Sequence, residues 1–100
     1  MVITKKANGN ELLISLDGRL DTSTAPQLEN EFKDGLNNVK DLIIDMEKLV
    51  YISSAGLRVL LKAQKTMNKQ GSMLIKNVSQ DIKDIFEVTG FDEILNIESN

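Results

Sequence analysis

The stretch "VYISSAGLRVLL", residues 50–61, connects an apolar approach to an apolar run with helical spacing through two neighbouring serines. The spacing predicts a helix over Ser54–Gln70 that a serine begins and Gly71 ends. The residues of its predicted buried face are Leu57, Leu60, Leu61 and Met67. Whether the serines only cap this helix or also form a functional site is the main question that the sequence raises.

The segment before the serines predicts a strand. "VKDLIIDM", residues 39–46, has the short uninterrupted apolar centre that is typical of a strand covered on both sides. We expect it to lie inside a sheet, and we expect residues 47–52 to be a connector between this strand and the helix. The serine pair then follows a central strand, at the kind of junction where α/β sheets place their sites.

The first third of the chain predicts a hairpin followed by a helix. Residues 2–6 and "ELLISLDGRL", residues 11–20, have strand character on either side of Asn8, Gly9 and Asn10, and Asn-Gly readily takes positive φ. Thr24 is the predicted cap of a helix that tolerates Pro26 in its first turn. The apolar face of this helix is Leu28, Phe32 and Leu36.

The last third predicts a strand at "SMLIKNV", residues 72–78, and a helix that Ser79 caps and Gly90 terminates. "FDEILNI", residues 91–97, fits one helical turn or a final edge strand equally well. The resulting order contains two strand–helix–strand crossovers, which indicates an α/β fold with the helices packed on one sheet. A chain of 100 residues is expected to form a single domain, residues 1–100.

Composition excludes several classes of function. The net charge is −3 with interspersed charges, so nucleic acid and anionic membranes are not expected partners. No cysteine is available for disulfides or thiolate sites, and no histidine for general base catalysis or metal binding. The chain has no signal-like opening and no apolar run near the roughly 18 residues of a membrane span. We therefore expect a soluble, cytoplasmic protein.

The serine pair has a structural and a functional interpretation. A capping serine accepts a backbone N–H and contributes about 1 kcal/mol, which is its commoner role. However, Ala55 and Gly56 are small, and Gly56 costs up to about 1 kcal/mol of helix propensity, which suggests that a partner or a phosphate approaches there. A phosphoserine at a helix N-terminus would leave the fold intact and would repel a docked protein, so the same residues also fit a binding switch.

Four separated segments together resemble the STAS domain, the fold of the bacterial anti-sigma factor antagonists. "LVYISSAGLRVLL" resembles the signature of an aromatic, an aliphatic, Asp, Ser, then Ser, Ala or Thr, Gly and Leu. The other three segments, in the family's order, are "GRLDTSTAPQLENEF", "LIIDM" and "FEVTGFDEIL". The resemblance covers nearly the whole chain, and it implies a mixed four- to five-stranded sheet packed with about four helices.

The resemblance also implies a function. Ser54 matches the serine that an anti-sigma factor kinase phosphorylates, with Ser53 as the alternative, and Ser53 stands where the family commonly has Asp. The implied partner is an anti-sigma factor that is also a GHKL-type serine kinase. The low aromatic content and the dispersed charge give no reason to expect an obligate dimer, so we expect the free chain to be a monomer. The implied partner-binding residues are Asp21, Thr22, Ser23, Ser53, Ser54, Ala55, Gly56, Leu57 and Arg58. No catalytic residue, metal or cofactor is implied, so the chain is not expected to be an enzyme.

Several alternatives remain open at this level. A scaffold module of the same fold, serving a transport or signalling complex without being phosphorylated, would retain the same residues. Asp21 is either a local turn and cap residue or part of a surface shared with the Ser54 loop. Arg58 either pairs with a phosphate on Ser54 or lies in solvent, and we favour solvent. A serine hydrolase is nearly excluded, because no histidine is present and no motif supports a lysine base.

Overall fold

The computed structural model describes residues 1–98, and its elements follow the order that the sequence predicts. The strands are β1 (Val2–Asn8), β2 (Glu11–Leu20), β3 (Asp41–Ile52) and β4 (Ser72–Lys76). The helices are α1 (Ala25–Gly35), α2 (Ser54–Gln70) and α3 (Gln80–Thr89), followed by a 3-10 turn at Phe91–Glu93. Four strands, three α-helices and one 3-10 turn within these residues confirm the expected α/β architecture.

The sheet is mixed, with the strands in the order β1-β2-β3-β4. β1 and β2 form the predicted antiparallel hairpin, which turns at Gly9 with φ +63. β2, β3 and β4 are parallel, so α1 and α2 belong to the two predicted crossovers. In the last segment the helical-turn alternative is confirmed at Phe91–Glu93, and Ile97 then makes an isolated parallel bridge to Ile75 without forming a fifth strand among the described residues.

One face of the sheet carries the core, and the other face is only partly covered. Ile14, Ile44 and Ile75 lie in one row across the three parallel strands, and none of them has exposed surface. The apolar sides of all three helices pack into the same cluster. The adjacent row on the other face is half-buried and consists of Leu13, Ile43 and Leu74. The central strand therefore lies inside the sheet as expected, but it is fully covered on one face and only partly covered on the other.

The end of β3 also differs from the sequence-based expectation. Residues 47–52 are expected from the sequence to form a connector, but they continue the strand to Ile52. The pairing of β2 with β3 shifts register twice along this part, between Ser15 and Asp17 and between Gly18 and Arg19. These irregularities break the alternation of apolar and polar residues by which a strand is recognised from sequence. They also change which side chains reach the surface near the serine pair.

The predicted helix boundaries are largely confirmed. α2 spans Ser54–Gln70 as expected, although Leu61 on its predicted buried face is only half-buried. Ser79 caps α3 by accepting from the Ile82 N–H at 3.3 Å, and Gly90 ends it with φ +79. Gly71 ends α2 for a different reason, since its φ of 177 is extended. A Cβ there would lie 1.9 Å from the Lys40 carbonyl oxygen, so close backbone approach requires this glycine.

Candidate functional site

The loops that leave β2 and β3 lie side by side at the carboxyl ends of these parallel strands. The Ser53 N–H donates to the Leu20 carbonyl oxygen at 2.9 Å, which joins the start of α2 to the end of β2. Asp21 follows Leu20 directly, so the loop that carries Asp21 and the loop that carries Ser54 share one end of the sheet. The sequence-predicted residues of both loops are therefore brought together.

The two serines have different environments. Ser53 is the N-cap of α2, with extended backbone, and its Oγ accepts from the Gly56 N–H at 3.5 Å. It is half-buried, whereas Ser54, the first residue of the helix, is exposed. Within residues 1–98, the Ser54 hydroxyl has no hydrogen-bond partner that would tie it to the fold. Ser53 therefore caps the helix, and Ser54 is the serine whose hydroxyl is accessible.

Gly56 and Leu57 face inward. A Cβ on Gly56 would lie 2.7 Å from Cγ of Leu20 and 3.0 Å from Cγ1 of Ile52, and Leu57 is only 4% exposed. The space next to Gly56 is therefore filled by this chain's own core, which differs from the expectation that it accommodates a partner or a phosphate. Gly56 brings the first turn of α2 down onto the sheet and so fixes where Ser54 lies. Ala55 is half-buried against the core.

Asp21 organises the neighbouring loop. One carboxylate oxygen accepts from the Ser23 N–H at 3.0 Å, from the Ser23 hydroxyl at 2.8 Å and from the Thr24 N–H at 3.2 Å. The Ser23 hydroxyl is the main reason why the pKa of Asp21 lies below its ordinary value, and the backbone N–H groups of Thr24 and Ser23 act in the same direction. The local turn interpretation of Asp21 is therefore confirmed, and its position beside the Ser54 loop also allows it to contribute to a shared surface.

Thr24 occupies the predicted N-cap position of α1, but its side chain does not cap the helix. Its hydroxyl donates to the Arg19 carbonyl oxygen at 2.7 Å and accepts from the Asp21 N–H at 2.8 Å. These bonds to Arg19 and Asp21 occupy the hydroxyl that would otherwise cap the helix. Thr24 therefore closes the loop, and the cap expectation is corrected.

The exposed residues of the two loops flank a shallow groove between α1 and α2. Thr22, Ala55 and Arg58 line it near the serine pair. Thr22, Ser23 and Arg58 are exposed, and Arg58 has no carboxylate partner within the part of the chain that the structure describes. Arg58 is therefore accessible to solvent, and its pairing with a phosphate on Ser54 stays a hypothesis.

Three further residues at this end were not identified from the sequence. The guanidinium of Arg19 lies 4.4 Å from the centroid of the Tyr51 ring, and its Nε lies 3.7 Å from a carboxylate oxygen of Asp21. Val50 and Tyr51 are both exposed, by 66% and 38%, although they are consecutive in a strand. The sequence did not indicate this pair because residues 47–52 were expected to form a connector. The exposure of both residues follows from the register of β3 against β2, which has no local sequence signal.

The chemistry of the site fits protein recognition. Residues 1–98 contain no group of three or more carboxylates that would hold a metal ion, and the chain has no histidine or cysteine. None of the helices described is long and apolar enough to cross a bilayer. The site consists of an exposed hydroxyl at the N-terminus of a 17-residue helix, surrounded by small, polar and apolar surface groups. Such an arrangement can dock a protein and accept a modification.

Comparisons with known proteins agree with this geometry. The sequence matches the family model described as "STAS domain" over residues 2–100. An anti-sigma-B factor antagonist of Bacillus subtilis is 30% identical over 95 residues, which cover 94% of this chain and 87% of that protein. An anti-sigma factor antagonist from Mycobacterium paratuberculosis has a similar fold, with a TM-score of 0.88 at 19% identity over 99% of this chain and 86% of that one.

The phosphorylated form of the Bacillus cell fate determinant SpoIIAA is also similar, with a TM-score of 0.75 at 17% identity over 99% of this chain and 93% of that chain. At these identities the solved structures establish the fold, and the family match establishes the relationship. With its relatives among the anti-sigma factor antagonists, this chain is a regulatory protein-binding domain and not an enzyme, and it belongs to the STAS domain family.

Proposed function

We propose that this chain is an anti-sigma factor antagonist whose binding to its partner is controlled by phosphorylation of Ser54. The partner is an anti-sigma factor that is also a GHKL-type serine kinase. The unphosphorylated chain binds this kinase and frees a sigma factor, and the phosphorylated chain is released. The observation that carries the proposal is the exposed Ser54 hydroxyl at the start of α2, next to a Ser53 that is committed to the cap.

The division between the serines supports Ser54 as the acceptor. A kinase must bring the hydroxyl oxygen in line with the γ-phosphorus of ATP, which requires an accessible side chain. Phosphorylating Ser53 would compete with the hydrogen bond that its Oγ accepts from Gly56, whereas Ser54 has no such bond among residues 1–98. In the step itself, Oγ of Ser54 forms a bond to the γ-phosphorus, the hydroxyl proton passes to a base of the kinase, and ADP leaves.

The electrostatics at this position explain how a phosphate could act as a switch. The group would add about −1.5 to −2 charges beside the N-terminus of α2, where free N–H groups and the helix dipole tolerate an anion. The domain would therefore stay folded. A protein surface docked over Ser54 would have to bury that charge, which costs several kcal/mol unless it is paired. Loss of about 3 kcal/mol weakens binding by more than 100-fold.

The relatives support the same role. The Bacillus subtilis protein carries the name of an anti-sigma-B factor antagonist, and SpoIIAA has been solved in both unphosphorylated and phosphorylated forms. A sigma factor and the ATP that the kinase uses are both in the bacterial cytoplasm, which is where we place this chain. We propose a monomeric free state and a heteromeric complex with the kinase.

The experiment uses the GHKL-type serine kinases of the source organism, each purified and incubated with this chain and ATP. Mass spectrometry should place one phosphate on Ser54, and Ser54→Ala should abolish it while Ser53→Ala retains it. In pull-downs, Ser54→Ala should retain the kinase and Ser54→Asp should lose it. Thr66→Asp, which adds the same charge at an exposed position on the same helix, is the control and should bind.

A phosphate on Ser53 alone would contradict the assignment of the acceptor. The absence of any phosphate with every kinase, together with equal binding of Ser54→Asp and the unmodified chain, would favour the scaffold function. Because Ser53 stands where the family commonly has Asp, both functions are open for this chain, and the phosphorylation and binding results decide between them.

A further inference from the structure

The surface beside Ser54 contains two adjacent exposed apolar side chains on β3. Side chains of a regular strand alternate between the two faces, so consecutive residues are not expected to be exposed together next to a covered face. Here Gly18 pairs with Leu49 and Arg19 pairs with Tyr51, which leaves Val50 as an extra residue without a partner in β2. This bulge turns both Val50 and Tyr51 outward, at the end of the strand that leads to the serines.

The Tyr51 ring packs against a charged side chain of β2 in the free chain. The Arg19 guanidinium lies over the ring at 4.4 Å, and Arg19 is also 3.7 Å from the Asp21 carboxylate. That carboxylate is fixed in turn by its bonds to Ser23 and Thr24. A side chain that is already ordered loses less conformational entropy on binding, so this arrangement favours an anchor residue.

Val50 and Tyr51 lie close enough to Ser54 in the chain to belong to the same interface with a partner of ordinary size. Three peptide units separate Tyr51 from Ser54, so their Cα atoms lie within about 11 Å. A standard protein interface covers about 800 Å² on each partner, equivalent to a disc of about 16 Å radius. An interface of this size centred on the Ser54 hydroxyl therefore extends far enough to include the exposed side chains of Val50 and Tyr51.

We propose that Val50 and Tyr51, with Arg19 packed on the ring, form the apolar anchor by which the Ser54 kinase docks. This inference rests on the proposed function and assigns the partner a complementary apolar pocket. Tyrosine and arginine are the residue types that dominate the binding energy of protein interfaces, especially where water is excluded around them. The phosphate on Ser54 then acts by placing a charge within the same interface that these residues anchor.

The experiment measures the Kd of the unphosphorylated chain for the kinase identified with Ser54. Tyr51→Ala should weaken binding about 30-fold, and Val50→Ser about fivefold, as expected for a hot spot and a supporting contact. The matched control is Val88→Ser, since Val88 is 87% exposed but lies on α3. It should bind within twofold of the unmodified chain, as a surface change outside the interface does. Thermal unfolding of each variant checks that the fold is retained.

The outcomes separate this inference from the function on which it rests. If the unmodified chain binds, Ser54→Asp is released, and the Val50 and Tyr51 variants bind normally, the anchor is overturned and the proposed function stands. If no kinase binds, or Ser54→Asp binds unchanged, the proposed function fails and the anchor fails with it. If sedimentation shows a dimer of this chain that Val50→Ser dissociates, the patch is an interface between copies, and the kinase assignment is overturned.

Discussion

The first turn of α2 contains Gly56, and replacing this residue with alanine tests how the helix is seated on the sheet. The new Cβ would lie 2.7 Å from Leu20 Cγ and 3.0 Å from Ile52 Cγ1, whereas non-bonded carbons prefer about 3.5–4.0 Å. Leu20 and Ile52 are 0% and 2% exposed, so neither side chain can move into solvent. The helix end or the β2 end must therefore shift.

The expected change in the free energy of unfolding on Gly56→Ala follows from two opposing contributions. Inserting a methyl group into a packed core costs about 1–3 kcal/mol, and contacts this short with branched side chains favour the upper half of that range. Alanine recovers about 1 kcal/mol of helix propensity relative to glycine. We therefore expect Gly56→Ala to lower the free energy of unfolding by about 1–2 kcal/mol, which corresponds to a Tm lower by roughly 4–16 °C for a domain of this size.

Urea unfolding followed by circular dichroism measures this difference, and Gly35→Ala is the matched control. Gly35 ends α1, and a methyl group added to it would meet no other atom within 4 Å, so alanine there should raise stability by about 0.5 kcal/mol. A Gly56→Ala protein as stable as the unmodified chain would refute the packing argument. A similar loss in both variants would point to a general effect of removing glycine.

The remaining predictions concern the two loops. Ser53→Ala should lower the free energy of unfolding by about 0.5–1 kcal/mol through the lost cap, while Ser54→Ala should stay within about 0.5 kcal/mol; equal losses in urea unfolding would contradict the assigned cap. Because the folded-state pKa of Asp21 is lowered, its stabilisation is present above the unfolded pKa of about 3.9 and is lost as pH falls through the folded value. Between about pH 5 and pH 2.5, Asp21→Asn should therefore lose less stability than the unmodified chain, and parallel pH profiles would contradict this.

Sequence patterns identified the helices better than the end of the central strand. The extent of α2, the Ser79 cap and the Gly90 terminator depend on helical periodicity and on local backbone preferences, and all three are confirmed. The family signature around Ser54 was recognisable for a similar reason, since its residues are contiguous. The strand character of residues 47–52 was not recognisable, because the register shifts against β2 remove the period-2 pattern.

The sequence by itself therefore determined the order of the elements, the α/β class and the serine pair at a helix start, because each depends on residues close together in the chain. The structure decided which serine caps the helix through a local bond from the Gly56 N–H to Ser53. Only the tertiary structure decided why Gly56 is glycine and that Val50 and Tyr51 face outward near Ser54. These properties depend on how β2 pairs with β3 and where Leu20 contacts α2. Contacts of that kind join residues more than 30 positions apart, and their geometry is fixed by packing, which no local pattern encodes.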